Sequence, residues 1–262
     1  MLRALHTAAL GMTAQQRGVD NIANNLANTN TTGFKRQNII FHDLLYQNVQ
    51  TAGEGEASGS AQPGALQMGH GAAAVATVRN FSQGSLSETG NPLDFAVNGN
   101  GFFQISRPDG SIAYSRDGAF RLSAEGLLVT QTGLAMEPSI SVPENAVEIT
   151  MSQDGVVRAR LQGEPDLVEL GQIELATFPN PAGLSPMGGN LFEQTEASGE
   201  PTIASPGQDG AGMVRQGYLE EANVDVVREM VNLIAAQRAY EINSKMITTS
   251  EEMLTTANNL KR

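Results

Sequence analysis

Asp109, Asp117 and Asp154 are the carboxylates of this 262-residue chain that could be imagined as paired acids and bases. Each is followed by glycine, at Gly110, Gly118 and Gly155. Asp-Gly favours the positive φ that two-residue hairpin turns need, so a turn explains each aspartate without catalysis. Asn98-Gly99-Asn100-Gly101-Phe102 has the glycine density of a phosphate loop. It lacks the third glycine and the P-loop lysine, and no helical pattern follows, so a hairpin turn is the expectation there too. His6, His42 and His70 have no partner at a ligand spacing such as i, i+4. Cysteine is absent, which removes thiolate ligands, disulfides and cysteine nucleophiles together, and no Gly-x-Ser-x-Gly elbow occurs. The reading is no enzyme, with no catalytic, metal or cofactor-binding residues and no small-molecule substrate.

Composition narrows the partners. Sixteen Lys and Arg against 28 Asp and Glu give a formal charge of −12, the wrong sign for neutralising phosphates, so no nucleic acid is expected. No run of 18 apolar residues is present, and no apolar h-region with a cleavage site follows Met1. Those tests predict a cytoplasmic protein unless export uses another route.

The strongest patterns lie at the two ends. Leu2, Ala9, Gln16 and Ala23 form one heptad position, and Leu5, Met12, Val19 and Leu26 the other, over nearly four heptads. Gly11 and Gly18 beside this seam weaken the helix, so it needs partners. Asn24, Asn25 and Asn28 belong to an asparagine-rich stretch readable as a fraying helix end stopped at Gly33, or as amides that satisfy neighbouring backbones. At the other end, Glu220, Glu221 and Asp225 flank the start of a long helical pattern. Its apolar positions include Val227, Val231, Ile234, Ala239, Ile242, Met246 and Met253, with a second row through Val226, Leu233, Tyr240, Ile247 and Leu254. Two adjacent rows suit a helix packed among several neighbours.

Between the helices, residues 36–74 read as an extended Gly-, Ser- and Gln-rich connection that cannot fold alone. Residues 75–214 carry short apolar alternations punctuated by Asn-Gly and Asp-Gly, which predicts antiparallel β structure as a sandwich or partial barrel. Four segments result: helix in 1–35, connection in 36–74, a β-rich domain in 75–214 and a long helix in 215–262. The fold class is α+β, with the terminal helices paired as a coiled-coil-like domain and the β domain looped out between them.

Three stretches together resemble a known family. They are Leu2 to Met12 with Asn24 to Lys35; Leu93 to Phe103 with Tyr114 to Phe120; and Gln216 to Asp225 with Gln237 to Lys245. The chain resembles the axial proteins of the bacterial flagellum, covering rod and hook. Its length and the segment Asp43 to Gln47 are similar to those of the distal-rod members; the alternatives are a proximal-rod or hook-type subunit, or a β-domain hydrolase with helical oligomerisation ends. The resemblance implies a helical homopolymer that acts as a rigid drive shaft from motor to hook. It implies an inner tube of paired terminal helices whose assembly interfaces are Leu2, Leu5, Ala9, Met12, Val19, Leu26, Asn24, Asn25 and Asn28, and on the other helix Val227, Val231, Ile234, Ala239, Tyr240, Ile242, Met246 and Met253. It also implies the partners: further copies of the chain, proximal rod proteins, hook protein, the outer-envelope ring proteins and the flagellar type III export apparatus. The expected location is the basal-body rod, spanning periplasm to outer membrane, reached without a cleaved signal.

Overall fold

The computed structural model describes residues 2–50, 66–163 and 166–260. The first helix, α1, spans Leu2–Ala27. Two short ribbons follow, formed by β1 (Gln37–Asp43), β2 (Tyr46–Gln50), β3 (Leu66–Gly69) and β4 (Ala72–Arg79). β1 pairs with β4, and β2 with β3. This corrects the reading of residues 36–74 as a plain connection. The runs Ile39 to Phe41 and Val75 to Val78 are β-formers, and pairing satisfies their backbone groups. The polar stretch 51–65 lies outside the described residues.

The long C-terminal helix, α2, covers Val226–Asn259, 34 residues and roughly 51 Å at 1.5 Å per residue. Its N-cap is Asp225, whose carboxylate accepts a hydrogen bond from the Arg228 amide at 3.2 Å. Glu220 and Glu221 were expected beside this helix start, and Glu220 instead ends a strand. The five residues between Glu220 and Val226 are too many for a first-turn contact.

Contacts divide the chain into two compact units. One comprises residues 1–26, 37–78 and 225–262, and so holds both helices and both ribbons. The other comprises residues 27–36 and 79–224 and is built of β strands, with one short 3-10 helix at Pro181–Gly183.

Strands of the second unit are β5 (Leu86–Glu88), β6 (Phe95–Asn98), β7 (Phe102–Ser106), β8 (Ile112–Ser115), β9 (Phe120–Leu122), β10 (Leu128–Thr130) and β11 (Met136–Glu137). After them come β12 (Ala146–Met151), β13 (Val156–Leu161), β14 (Leu167–Gln172), β15 (Leu175–Thr177), β16 (Ser185–Gly188), β17 (Leu191–Glu193), β18 (Thr202–Ala204), β19 (Met213–Gln216) and β20 (Tyr218–Glu220). The central sheet runs β16-β17-β8-β7-β15-β18, with β11 also on β7. β12, β13 and β14 form a separate antiparallel sheet. β7 is buried on both faces because strand side chains alternate. Phe103 and Ile105 enter one cluster with Phe95, Phe120, Leu128 and Leu175, while Phe102 joins Tyr114, Phe178 and Phe192 in a second. Rings in both meet edge to face, as in Phe103–Phe120 at 5.3 Å and Tyr114–Phe178 at 4.8 Å.

The Asp-Gly turns divide. Gly110 (φ 81°) and Gly155 (φ 79°) close the β7–β8 and β12–β13 hairpins. Asn98 to Gly101 is a turn but no hairpin, because β6 pairs with β19 and β7 with β8 and β15. Gly118, unlike Gly110 and Gly155, is not in the positive-φ region; it is required because a Cβ there would collide with the Phe95 carbonyl.

Candidate functional site

One part of each of the three resembling stretches lies in the β unit, and there those parts meet. The Lys35 ammonium donates to Glu220 Oε1 (2.5 Å) and to the Ser82 carbonyl (2.9 Å). Arg116 Nη1 donates to Glu220 Oε2 (3.3 Å), and its Nη2 to the Gly99 carbonyl (2.6 Å). The Gly84 amide also donates to Glu220 Oε1 (2.8 Å), and the Arg116 guanidinium lies over the Phe102 ring at 5.3 Å. The side chains of Lys35 and Glu220 are fully buried and that of Arg116 nearly so. One carboxylate thus serves two buried cations, and the carbonyls of Ser82, Val97 and Gly99 take up further donors, while Arg116 Nε has no hydrogen-bond partner. Burial pulls the Lys35 pKa below its ordinary value; Glu220 opposes that shift and Arg116 adds to it. Burial lowers the Arg116 pKa as well, with Glu220 again opposing.

Around this cluster the segments are stitched side by side. The Gly33 amide, in a residue at φ 67°, donates to the Glu220 carbonyl. Asn223 accepts from the Arg36 amide (2.7 Å) and donates to the carbonyls of Asn80 (2.7 Å) and Ser82 (3.0 Å). Thr32 donates to Asp117 (2.9 Å), and Asn190 donates to the Thr32 carbonyl and to Asp117. Asp117 is therefore a tie between segments as well as a turn residue. Asp109 accepts from Ser111, which holds its carboxyl below the usual range and leaves it an ionised turn residue. Among the described residues, no group of three or more His, Asp or Glu could hold a metal ion, and no helix is long and apolar enough to cross a membrane.

In the helical unit, α1 and α2 run antiparallel. Gly11 faces Asn243, where a Cβ would come within 3.0 Å of the amide, and Gln16 and Val19 share a groove with Gln237 and Tyr240. Thr7 and Leu10 pack near Gly71 of the ribbons. The buried positions of α1 include Ala8, Ala14 and Asn25; the heptad seam read from the sequence lies on another face. Ala9 and Ala23 are exposed on that seam, and Leu5, Met12, Val19 and Leu26 are half-buried. Small residues made the difference, since helices approach closest where Gly11 offers no side chain.

On α2, Ala236 and Ser250 are buried, with Leu233, Asn243, Ile247 and Leu254 half-buried at matching spacing. The first apolar row points away from that face. Val227 is 72 % exposed, Val231 60 %, Ile234 53 %, Ile242 62 %, Met246 50 % and Met253 48 %. Tyr240 is exposed at the groove and Ala239 is half-buried.

One site residue is corrected. Asn25 is buried within its own chain, and its amide pairs with both backbone groups of Gln37, so it braces the start of β1. Asn21 donates to the same Gln37 carbonyl. Asn24 lines a groove between α1 and the ribbon with Arg17, Asp20 and Ile39. The side chain of Leu2 is outside the described residues.

Three family models match this chain: flagella basal body rod protein over residues 5–35, flagellar hook protein FlgE/F/G D1 domain over 96–159, and flagellar basal body rod FlgEFG protein C-terminal over 215–260. The chain is 49 % identical to the flagellar basal-body rod protein FlgG of Borreliella burgdorferi across the whole of both chains. It is 46 % identical to the FlgG of Caulobacter vibrioides, over 99 % of this chain and all of that one. Against the rod protein FlgF of the same bacterium identity falls to 34 %, over 97 % of this chain and 95 % of that one.

The chain belongs to the FlgG family of flagellar basal-body rod proteins.

It is a structural subunit of the distal rod, located at the basal body. That places it among the self-assembling rod and hook components of the flagellum. Each matched region of this FlgG-family chain contributes one member of the buried ion cluster: Lys35, Arg116 and Glu220. Sequence reasoning missed the cluster. Its local signal was weak, a charged residue directly after a large apolar one in Phe34-Lys35 and Leu219-Glu220, and charge alone does not reveal a partner 104 or 185 residues away.

Proposed function

We propose that the chain polymerises into the distal rod by burying the outward row of α2 and the heptad seam of α1 against other copies. The rod then acts as a rigid drive shaft that transmits torque from motor to hook. The observation that carries this is the length of uncovered apolar surface on α2, from Val227 to Met253. Monomeric soluble proteins rarely leave such a contiguous stripe in water. The interface residues are Leu5, Ala9, Met12 and Val19 on α1, and Val227, Val231, Ile234, Ala239, Tyr240, Ile242, Met246 and Met253 on α2.

In this reading the chain does no catalysis. It meets proximal rod proteins below, hook protein above and the outer-envelope rings around it, on a path from periplasm to outer membrane. The type III export apparatus delivers it. The test is electron microscopy of hook–basal bodies from cells lacking the gene. Rods that stop before the outer rings, without a hook, support the reading. Complete rods without hooks would move the chain to the hook, and intact flagella would discard an axial role.

A further inference from the structure

The geometry points to a binding site for an organic carboxylate in the β unit, where a cavity of about 340 Å³ meets the buried Arg116 guanidinium. Its walls are mainly apolar, formed by Phe81, Phe102, Phe178 and Pro181. Phe102 and Phe178 are buried, whereas Asn100, Pro179 and Gly210 are exposed and form the mouth. All of these residues belong to the β unit. Cavities of this size, with apolar walls and a few convergent polar groups, suit small organic ligands.

Charge decides the sign of the ligand. The ion cluster sets two buried cations, Lys35 and Arg116, against the single carboxylate of Glu220, so one positive charge stays in excess. An unbalanced charge out of water is costly. Carboxylates of the neighbouring segments are committed elsewhere: Asp94 accepts from Thr89 and Asn91, and Asp117 from Thr32 and Asn190. Within the guanidinium, Nη1 and Nη2 donate to Glu220, Val97 and Gly99, while Nε has no partner. An anion in the cavity would lie beside this guanidinium and supply the missing charge where water screens it little.

The same features select the class of anion. One charge in excess matches a monoanion, and the apolar walls match an anion with an apolar body, which a hydrated phosphate lacks. The chain's formal charge of −12 further disfavours the approach of multiply charged anions. At the mouth, the Asn100 amide offers a further donor to a carboxylate. Two sources carry this chemistry, a free aromatic acid and the C-terminal residue of a polypeptide.

The site lies within the β unit and does not depend on assembly, so the unassembled full-length chain suffices for the test. It would be titrated at constant ionic strength with benzoate and with N-acetyl-glycyl-phenylalanine, and with benzyl alcohol and phosphate as controls. Two readouts follow binding: the urea midpoint of the β unit and the Arg116 Nε–H resonance in nitrogen-15 spectra. A ligand that binds only the folded state raises the midpoint with the logarithm of its concentration above Kd. Benzoate, the peptide or both should raise it and move the Arg116 resonance to a plateau, and the stronger response names the source. Asn100→Asp puts a fixed carboxylate at the mouth and should remove either response while keeping the cooperative unfolding transition. No response to benzoate or the peptide, an equal response to benzyl alcohol or phosphate, or an undiminished response in Asn100→Asp would each overturn the proposal.

Discussion

Glu220 ties together residues that are far apart in the chain, and its loss is the most informative single change. Glu220→Gln keeps the shape but leaves Lys35 and Arg116 buried without a counter-charge, which should cost about 3–5 kcal/mol in urea unfolding of the β unit. Lys35 gives a second measure, through pH. Its folded pKa lies below the ordinary 10.5, so between the two values the unfolded chain holds the extra proton. Stability should rise with pH across that window and be flat below it. Lys35→Met should abolish the rise, seen by comparing urea midpoints of the two proteins through the alkaline range. Gly118→Ala should prevent the β unit from forming, because the added methyl meets the Phe95 carbonyl; a retained cooperative unfolding transition would contradict this. Asp-Gly announced the turns at Gly110 and Gly155, since positive φ is a property of the dipeptide. The requirement at Gly118 could not be read that way, because it comes from a strand more than twenty residues earlier in the sequence.

α2 has two faces with different tasks. The inward face mixes the small or polar Ala236, Asn243 and Ser250 with half-buried Leu233, Ile247 and Leu254, and the outward one carries the exposed apolar row. Hydrophobicity alone does not choose between the two apolar rows, and close approach at Gly11 decided which one turns inward. Ile242→Asp places a charge on the outward row and should block rod formation while leaving the β unit folded. The readouts are electron microscopy of basal bodies and an unchanged urea transition of the β unit. Leu5→Asp should do the same from α1. Normal rods from either variant would remove that row from the interface. The Asp225 cap belongs to α2 itself, and Asp225→Ala should cost about 1 kcal/mol of helix stability without touching the interface.

For the whole molecule, the two units should differ in protection before and after assembly. The β unit has its own buried cores, whereas α2 keeps a long apolar row in water. Amide hydrogen exchange in the isolated chain should therefore be slow in β7 and β15 and fast along the outer part of α2. In rods α2 should become protected while β7 changes little. Equal protection of α2 in both states would mean the row is covered already. Periodicity in the sequence sufficed to determine two terminal helices and an antiparallel β region between them, while the family followed from the resemblance of three long stretches. These are local properties: a helix repeats every 3.6 residues, a strand every two, and each can be read within a dozen positions. Only the tertiary structure decided that 36–74 includes paired ribbons, that Asn25 braces β1, that Lys35, Arg116 and Glu220 meet, and which row of each helix stays in water. Those outcomes depend on which distant backbone comes near enough to exclude water, and no window of neighbouring residues contains that information.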